Sequence, residues 1–346
     1  MACVLLTVAC GIQGPVQPPR VQRPAKVTDL SALQVDQTFE VHFAPPQVAT
    51  DGQGLTKPLE IELLYSVVAA GAAPSQVPAF ASWVHLTDQQ WSPYTHNQEL
   101  LYPARITDRQ YREWQGKVVV LAVRTLTRGF RQRPLESALS NLVYLPLIDV
   151  SNPVQNVTCQ TTEKAIDVTW TAPVRTLTGQ PVHNLSGYRI YRSSSGKPGT
   201  FEMVGEVASP PFADRNFDFG RTYFYEVRAV FAEAGKTAES GDSSVAEITP
   251  RDIFPPGSPT GLTGIYADGA VELIWNANLE RDLAGYNVYR REGNQPFQKL
   301  TKQLLRTPIL RDTTVEPNRT YSYYVTAVDL SGNESQASKT VEVETR

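Results

Sequence analysis

The chain nearly copies itself at a fixed distance of 98 residues. Gly187-Tyr188-Arg189-Ile190-Tyr191-Arg192 returns as Gly285-Tyr286-Asn287-Val288-Tyr289-Arg290. Thr222-Tyr223-Phe224-Tyr225-Glu226-Val227-Arg228-Ala229-Val230 returns as Thr320-Tyr321-Ser322-Tyr323-Tyr324-Val325-Thr326-Ala327-Val328. Asp214 and Asp312 keep the same spacing. A period this long is a whole domain, because solenoid units repeat every ~20–50 residues. At ~100–150 residues per domain, a 346-residue chain holds about three. Arrays of this kind act by spacing, tethering and presenting loops.

The residues within each period point to strands. Apolar side chains alternate through Phe39, Val41 and Phe43, through Ile166, Val168 and Trp170, and through Val271, Leu273 and Trp275. Period two means a strand with one face buried. The 26 prolines and 22 glycines cut such runs into short pieces, as in an all-β sandwich. The pattern predicts domains at 26–148, 149–250 and 251–346, after an N-terminal segment at 1–25. Asp268-Gly269 predicts a hairpin turn.

An inward tryptophan on the second strand, a Tyr-x-Val-Tyr third strand and a tyrosine opening the sixth resemble the fibronectin type III domain. The resemblance implies three tandem immunoglobulin-like sandwiches. It also implies a tyrosine corner, with the hydroxyls of Tyr223 and Tyr321 bonded to nearby backbone and Phe217 and Val315 six positions earlier. Phe43, Trp170, Trp275, Tyr191, Tyr289, Tyr223 and Tyr321 are the expected structural core. The first copy diverges, with Phe43 replacing the tryptophan and Val119 the corner tyrosine. Tyr65 and Val119 lie 54 residues apart, against 32 for Tyr191 and Tyr223, so about 22 residues are inserted near 74–102. From Trp170 to Gly187 is 17 residues, against 10 from Trp275 to Gly285, so the second copy has seven extra residues within 173–185.

No catalytic set is legible, and the chain reads as a non-enzyme without a cofactor. His42, His85, His96 and His183 are scattered, none at metal-ligand spacing. A net charge of −3 argues against nucleic acid, whose phosphates need a basic face. Each domain has at most one of Cys3, Cys10 and Cys159, so none closes an internal disulfide. Cys159 reads as a small buried apolar residue. Asp242, Asp282, Asp329 and Glu334 read as solvated turn residues. The inserted segment carries Trp83, Trp91, Tyr94 and Tyr102. Exposed, these rings would stack on sugars or anchor a partner. Buried, they would cover core that the missing tryptophan and tyrosine leave open.

Residues 2–9 form an apolar run ending at Cys10-Gly11. This resembles a bacterial lipoprotein signal and implies export, lipidation of Cys10 and anchoring in a cell envelope, at the periplasm or cell surface. Ala9 fits that pattern; Thr7 stands where it prefers leucine. The proline-rich residues 14–24 suit an extended spacer. Pro153, Pro255 and Pro256 should stiffen the linkers at 150–153 and 252–256, with Phe254 wedged between neighbouring sandwiches. The expected function is that of a non-catalytic envelope lipoprotein, a spacer and protein-interaction module bound to an envelope protein or a polysaccharide. The alternative is carbohydrate binding through the aromatic insertion.

Overall fold

The computed structural model describes residues 21–71 and 78–346. Cys10 and most of the expected spacer lie outside the described residues. Two compact units emerge. The first gathers most of the chain up to Glu247; the second holds Ile248–Arg346 with Gln160–Ile166 and Asp214–Thr222.

In the second unit, Thr263–Ala267, Ala270–Ile274 and Ile309–Asp312 form a three-stranded sheet. Gln298–Lys299, Leu283–Glu292, Thr320–Asp329 and Val341–Glu344 form a four-stranded one. Trp275, Tyr286, Val288, Tyr321, Tyr323 and Val325 fill the core between them. Asp268 and Gly269 both take positive φ (48° and 73°), which a two-residue type I′ hairpin requires. Gly285 opens its strand because a Cβ there would lie 2.5 Å from the Leu305 carbonyl oxygen. Its counterpart Gly187 has the Val207 carbonyl oxygen at 2.7 Å, so close backbone approach explains why both copies begin on glycine.

The second sandwich repeats the arrangement, with Gln155–Thr161, Ile166–Thr171 and Phe212–Asp214 in the smaller sheet. Ile166–Thr171 buries alternate residues, ending on Trp170. Its larger sheet orders Glu202–Val207, Leu185–Ser193, Tyr223–Glu233 and Lys236–Glu239.

The first sandwich packs Ala81–Leu86, Glu60–Ala69, Lys117–Arg128, Pro134–Glu136 and Val143–Pro146 against Ser31–Val35, Thr38–Phe43, Glu99–Arg105 and Thr95–His96. Phe39, Val41, Phe43, Val119, Leu121 and Val123 are buried between the layers. Its extra residues include two short helices, Asp88–Trp91 and Asp108–Glu113. Each starts with a capping box, Thr87 with Gln90 and Thr107 with Gln110. A Thr-Asp-x-Gln signature precedes both, and it was readable in the sequence.

Two expectations change. Tyr191 and Tyr289 are half-buried and face away from the core, while Tyr188 and Tyr286 face it beside Trp170 and Trp275. A step of three along a strand reverses the face, so only one tyrosine of each pair can point inward. The expected spacer also ends sooner. Residues 23–25 bond to 48–50, with Thr50 N–H donating to the Arg23 carbonyl and Ala25 N–H to the Val48 carbonyl. Gln22 is buried, its amide paired with Thr56 and its carbonyl accepting from Thr127.

Candidate functional site

One device recurs in all three sandwiches. Ser137 and Ser140, Ser240 and Ser243, and Ser335 and Ser338 are buried just after the sixth strand. Each hydroxyl accepts from a backbone N–H of that strand: Thr125 and Val123, Ala229 and Val227, Ala327 and Val325, all at 2.9–3.0 Å. A Ser-x-x-Ser motif thus replaces strand pairing where the chain leaves the ladder. It marks the first sandwich as a third copy, which the tyrosine and tryptophan positions do not. The corner survives in the third sandwich, where Glu316 N–H donates to the Tyr321 hydroxyl at 3.1 Å. Three strands against four, an inward tryptophan and this corner settle the kind of fold.

The sandwiches resemble fibronectin type III domains in fold, the first as a divergent copy. No family model matches the chain. Exoglucanase B of Cellulomonas fimi is 29% identical over 169 residues, 47% of this chain and 14% of its own length. Chitinase Chi52 of Paenibacillus xylanexedens is 35% identical over 107 residues, 30% of this chain and 19% of its own. The chain therefore spans less than a fifth of either relative. Among solved structures, the FN1-FN3 domains of chicken CNTN1 are 13% identical over 93% of this chain and 100% of that one, with a TM-score of 0.29. A Fn3-like protein from Clostridium thermocellum is 26% identical over 26% of this chain and 94% of its own, with a TM-score of 0.24.

The most developed site is the seam between the first and second fibronectin type III sandwiches, inside the first unit. Ser31–Val35 pairs in parallel with Lys236–Glu239, Gln34 against Ala238 and Val35 against Glu239. Asp36 N–H extends the ladder to the Glu239 carbonyl at 2.9 Å. One hydrogen-bonded sheet therefore runs through both domains. The Gln34 side chain, 2% exposed, grips the backbone of Ile148 with both amide atoms, at 2.8 and 3.0 Å. Tyr111, on the Asp108–Glu113 helix, holds the next step. Its hydroxyl accepts from Val150 N–H at 3.1 Å, with the Ile148 carbonyl and the Asp149 carboxylate as acceptors at 3.1 and 3.2 Å. Burial first, and Asp149 second, push that phenol's pKa far up, so it stays neutral.

The seven extra residues of the second sandwich also serve this seam. Leu177 N–H donates to the Val150 carbonyl at 2.9 Å, and the Leu177 side chain packs on the core of the first sandwich. Thr178 bonds to the Asp149 carboxylate. Charge anchors the paired strand within the second sandwich. The Glu239 carboxylate has no exposure and lies between Arg189, at 2.5 Å, and Arg228, at 3.1 Å. The Tyr191 hydroxyl donates to it at 2.9 Å, and Arg228 lies over the Tyr191 ring. The outward turn of Tyr191 thus has a use that alternation alone did not reveal.

The aromatic insertion is mostly packed. Trp83 meets Tyr65 at 5.1 Å, Phe39 at 6.0 Å and Trp114 at 6.3 Å. The Trp91 indole N–H donates to the Leu59 carbonyl at 2.8 Å, and Tyr102 packs against the same core. These three rings cover the first sandwich. Tyr94 is the outward member, 38% exposed and 5.2 Å from Tyr102.

Of the acidic loop residues, Asp242, Asp282 and Glu334 are exposed and one is not. Asp329 is buried, its two oxygens accepting from the Asn333 backbone and side chain. Glu334 collects Asn287, Tyr289 and Thr326, which hold its carboxyl below the usual range against the opposing effect of burial. Asp242 is exposed but pairs with Arg228 at 2.6 Å. Short turns brace strand ends, so their carboxylates find donors locally. Asp252, Asp282 and Asp329 each place an oxygen within 4.8 Å of the others, a set that a hard cation such as Ca²⁺ would suit. Phe254 N–H and the Ser331 hydroxyl already bond to Asp252. Phe254 itself lies 6.4 Å from Phe219. Cys159 is half-buried, and burial pushes its thiol up to about 12, which keeps it unreactive.

Proposed function

We propose that this chain is a non-catalytic spacer and interaction module of an exported protein, with its first two fibronectin type III sandwiches acting as one rigid arm. The continuous sheet through Ser31–Val35 and Lys236–Glu239 carries this reading. Flexible linkers let tandem domains move by default unless their interface is extensive. Here backbone pairing, Tyr111 and Leu177 cross the junction, Gln34 fixes the segment leading into it, and an ion network inside the second sandwich holds the paired strand. Lipidation at Cys10 would place the arm at an envelope surface. The chain is docked from Gln22 onward, so a spacer would end before that residue. The names of the relatives, an exoglucanase and a chitinase, favour polysaccharide surroundings for such an arm.

The anchor is tested by mass spectrometry of the mature N-terminus from source cells. Acylated Cys10 is the expected result; peptides retaining residues 1–9 attached to the chain would overturn it. A second reading, carbohydrate binding, rests on Tyr94. Affinity electrophoresis in gels containing soluble β-glucan or glycol chitin should show retardation of the intact chain, relieved by Tyr94→Ala. Equal mobility with and without polysaccharide removes that reading.

A further inference from the structure

We infer that the hairpin tip at 128–133 of the first sandwich docks on an anionic phospholipid surface. That contact presupposes the envelope placement proposed above and adds a second attachment to it. Arg128-Gly129-Phe130-Arg131-Gln132-Arg133 carries three arginines and no acid, in a chain whose net charge is −3. The matching hairpins of the other two sandwiches read Glu233-Ala234-Gly235-Lys236 and Leu330-Ser331-Gly332-Asn333, so the basic tip is no part of the repeat.

The tip is held out from the sandwich. Lys117–Arg128 pairs with Pro134–Glu136 up to its root, Arg128 against Pro134. Gly129 N–H donates to the Arg133 carbonyl at 2.7 Å, and Arg133 N–H to the Phe130 carbonyl at 3.3 Å. Arg131 and Gln132 take left-handed backbone, with φ of 54° and 60°. Phe130 is left 80% exposed, the most exposed aromatic ring among the described residues, and the Arg131 guanidinium lies 5.3 Å from its centre. Arg128 is committed to Glu60. Arg131 and Arg133 are exposed, and no carboxylate pairs with either among the described residues. A single exposed ring is ordinary. A ring flanked by unpaired arginines suits a lipid interface, where the ring enters the headgroup boundary and the guanidiniums meet phosphate.

Position favours a membrane over other anionic partners. The Gln22 carbonyl accepts from the Thr127 hydroxyl, one residue before Arg128, and the Gln22 side chain pairs with Thr56. Lys57, next to Thr56, donates from its ammonium to the Arg128 carbonyl at 2.7 Å. The described chain therefore enters the first sandwich at Val21, itself 63% exposed, beside the root of the hairpin. A lipid on Cys10 would tether the sandwich by that corner and bring the tip to the same bilayer. The lipid would supply attachment. Phe130, Arg131 and Arg133 would set the tilt at which the arm leaves the surface, an acyl chain and a basic patch acting together.

Vesicle flotation of the full chain, produced without acylation, tests the tip apart from the anchor. The chain should partition more strongly into vesicles of equal parts phosphatidylglycerol and phosphatidylcholine than into phosphatidylcholine alone. Arg131→Gln with Arg133→Gln should lower partitioning into the anionic vesicles by about tenfold or more, since each arginine near such a surface is worth roughly fivefold. Phe130→Ser should lower it by roughly threefold or more. Residues 1–9 are the same in every variant, so any attachment of their own cancels. Thermal unfolding of the variants should match that of the parent chain, because all three side chains are exposed. Equal partitioning into the two kinds of vesicle, or anionic partitioning that the variants retain, would overturn the inference. Retention on immobilised polyglutamate or alginate without vesicle binding would also overturn it, and would assign the tip to an acidic protein or polysaccharide. Acylation of Cys10 is read separately by mass spectrometry, so either result can fail without the other.

Discussion

The second and third sandwiches share one frame and differ in two places. The loop between their second and third strands is seven residues longer in the second sandwich. The hairpin after the sixth strand is longer too: Ala229 to Ser240 spans 11 residues, where the equivalent Ala327 to Ser335 spans eight. Both additions meet the first sandwich, one through Leu177 and Thr178, the other through Ala238 and Glu239. In the third sandwich the corresponding hairpin is cut to a turn closed by Asp329 and Asn333. The residues that break the repeat are thus the ones that build the seam. What the two copies share makes a fold; what they do not share makes an interface.

That contrast predicts unequal costs for equivalent changes. Glu239→Ala would leave Arg189 and Arg228 without their buried partner and should destabilise the first unit by ~3–5 kcal/mol. Glu334→Ala, at the matching place in the third sandwich, removes an exposed acceptor and should cost ~1 kcal/mol or less. Urea titrations followed by peptide-resolved hydrogen exchange separate the two regions. Equal losses would erase the distinction.

Tyr111→Phe tests the seam while keeping the ring that packs in the first core. It removes the hydroxyl from the Asp149 carboxylate and from Val150 N–H, which keeps the Ile148 carbonyl at 3.0 Å, and the expected loss is ~1–3 kcal/mol, confined to the first unit. Leu177→Ala should cost less, ~1–2 kcal/mol, because the side chain is only half-buried. A third-sandwich midpoint that moved with either variant would mean that the contrast is drawn in the wrong place. The smallest effect concerns acid. Asp312 is held low by Thr314, Arg290 and Tyr323 despite burial, so it favours folding above its ordinary value near 3.8. That contribution is lost as pH falls through the depressed value, so the third sandwich should weaken below about pH 4. Circular dichroism at 217 nm with Asp312→Asn as reference measures it; an unchanged acid midpoint in the variant would contradict the assignment.

Much of the fold was legible because strands announce themselves by alternation. Trp170, Trp275, Tyr223 and Tyr321 are buried where the repeat put them. The Tyr191 and Tyr289 assignments failed on a point of parity, since period two gives the two tyrosines of one strand opposite faces when they are three apart. The seam was not legible. Parallel pairing of Ser31–Val35 with a strand two hundred residues away leaves no local pattern. Gln34 and Tyr111 have no distinguishing neighbours, and their roles come from where the backbone of 148–150 happens to pass. The Ser-x-x-Ser at 137, 240 and 335 and the Thr-Asp-x-Gln caps were present and unread, and the length difference at 173–185 was legible without its meaning, an interface. Trp83 and Trp91 show the limit of composition. Aromatic density in an insertion does not distinguish a binding face from a lid over the core.

The claim beneath all of this is that two sandwiches move as one body. Spin labels at Arg109 and Met203, both exposed and one in each of those sandwiches, allow a double electron–electron resonance measurement on the cysteine-replaced chain. A single narrow distance distribution, unchanged by temperature of equilibration before freezing, is the predicted result. A broad distribution, of the width that a flexible linker gives, would contradict the fused sheet.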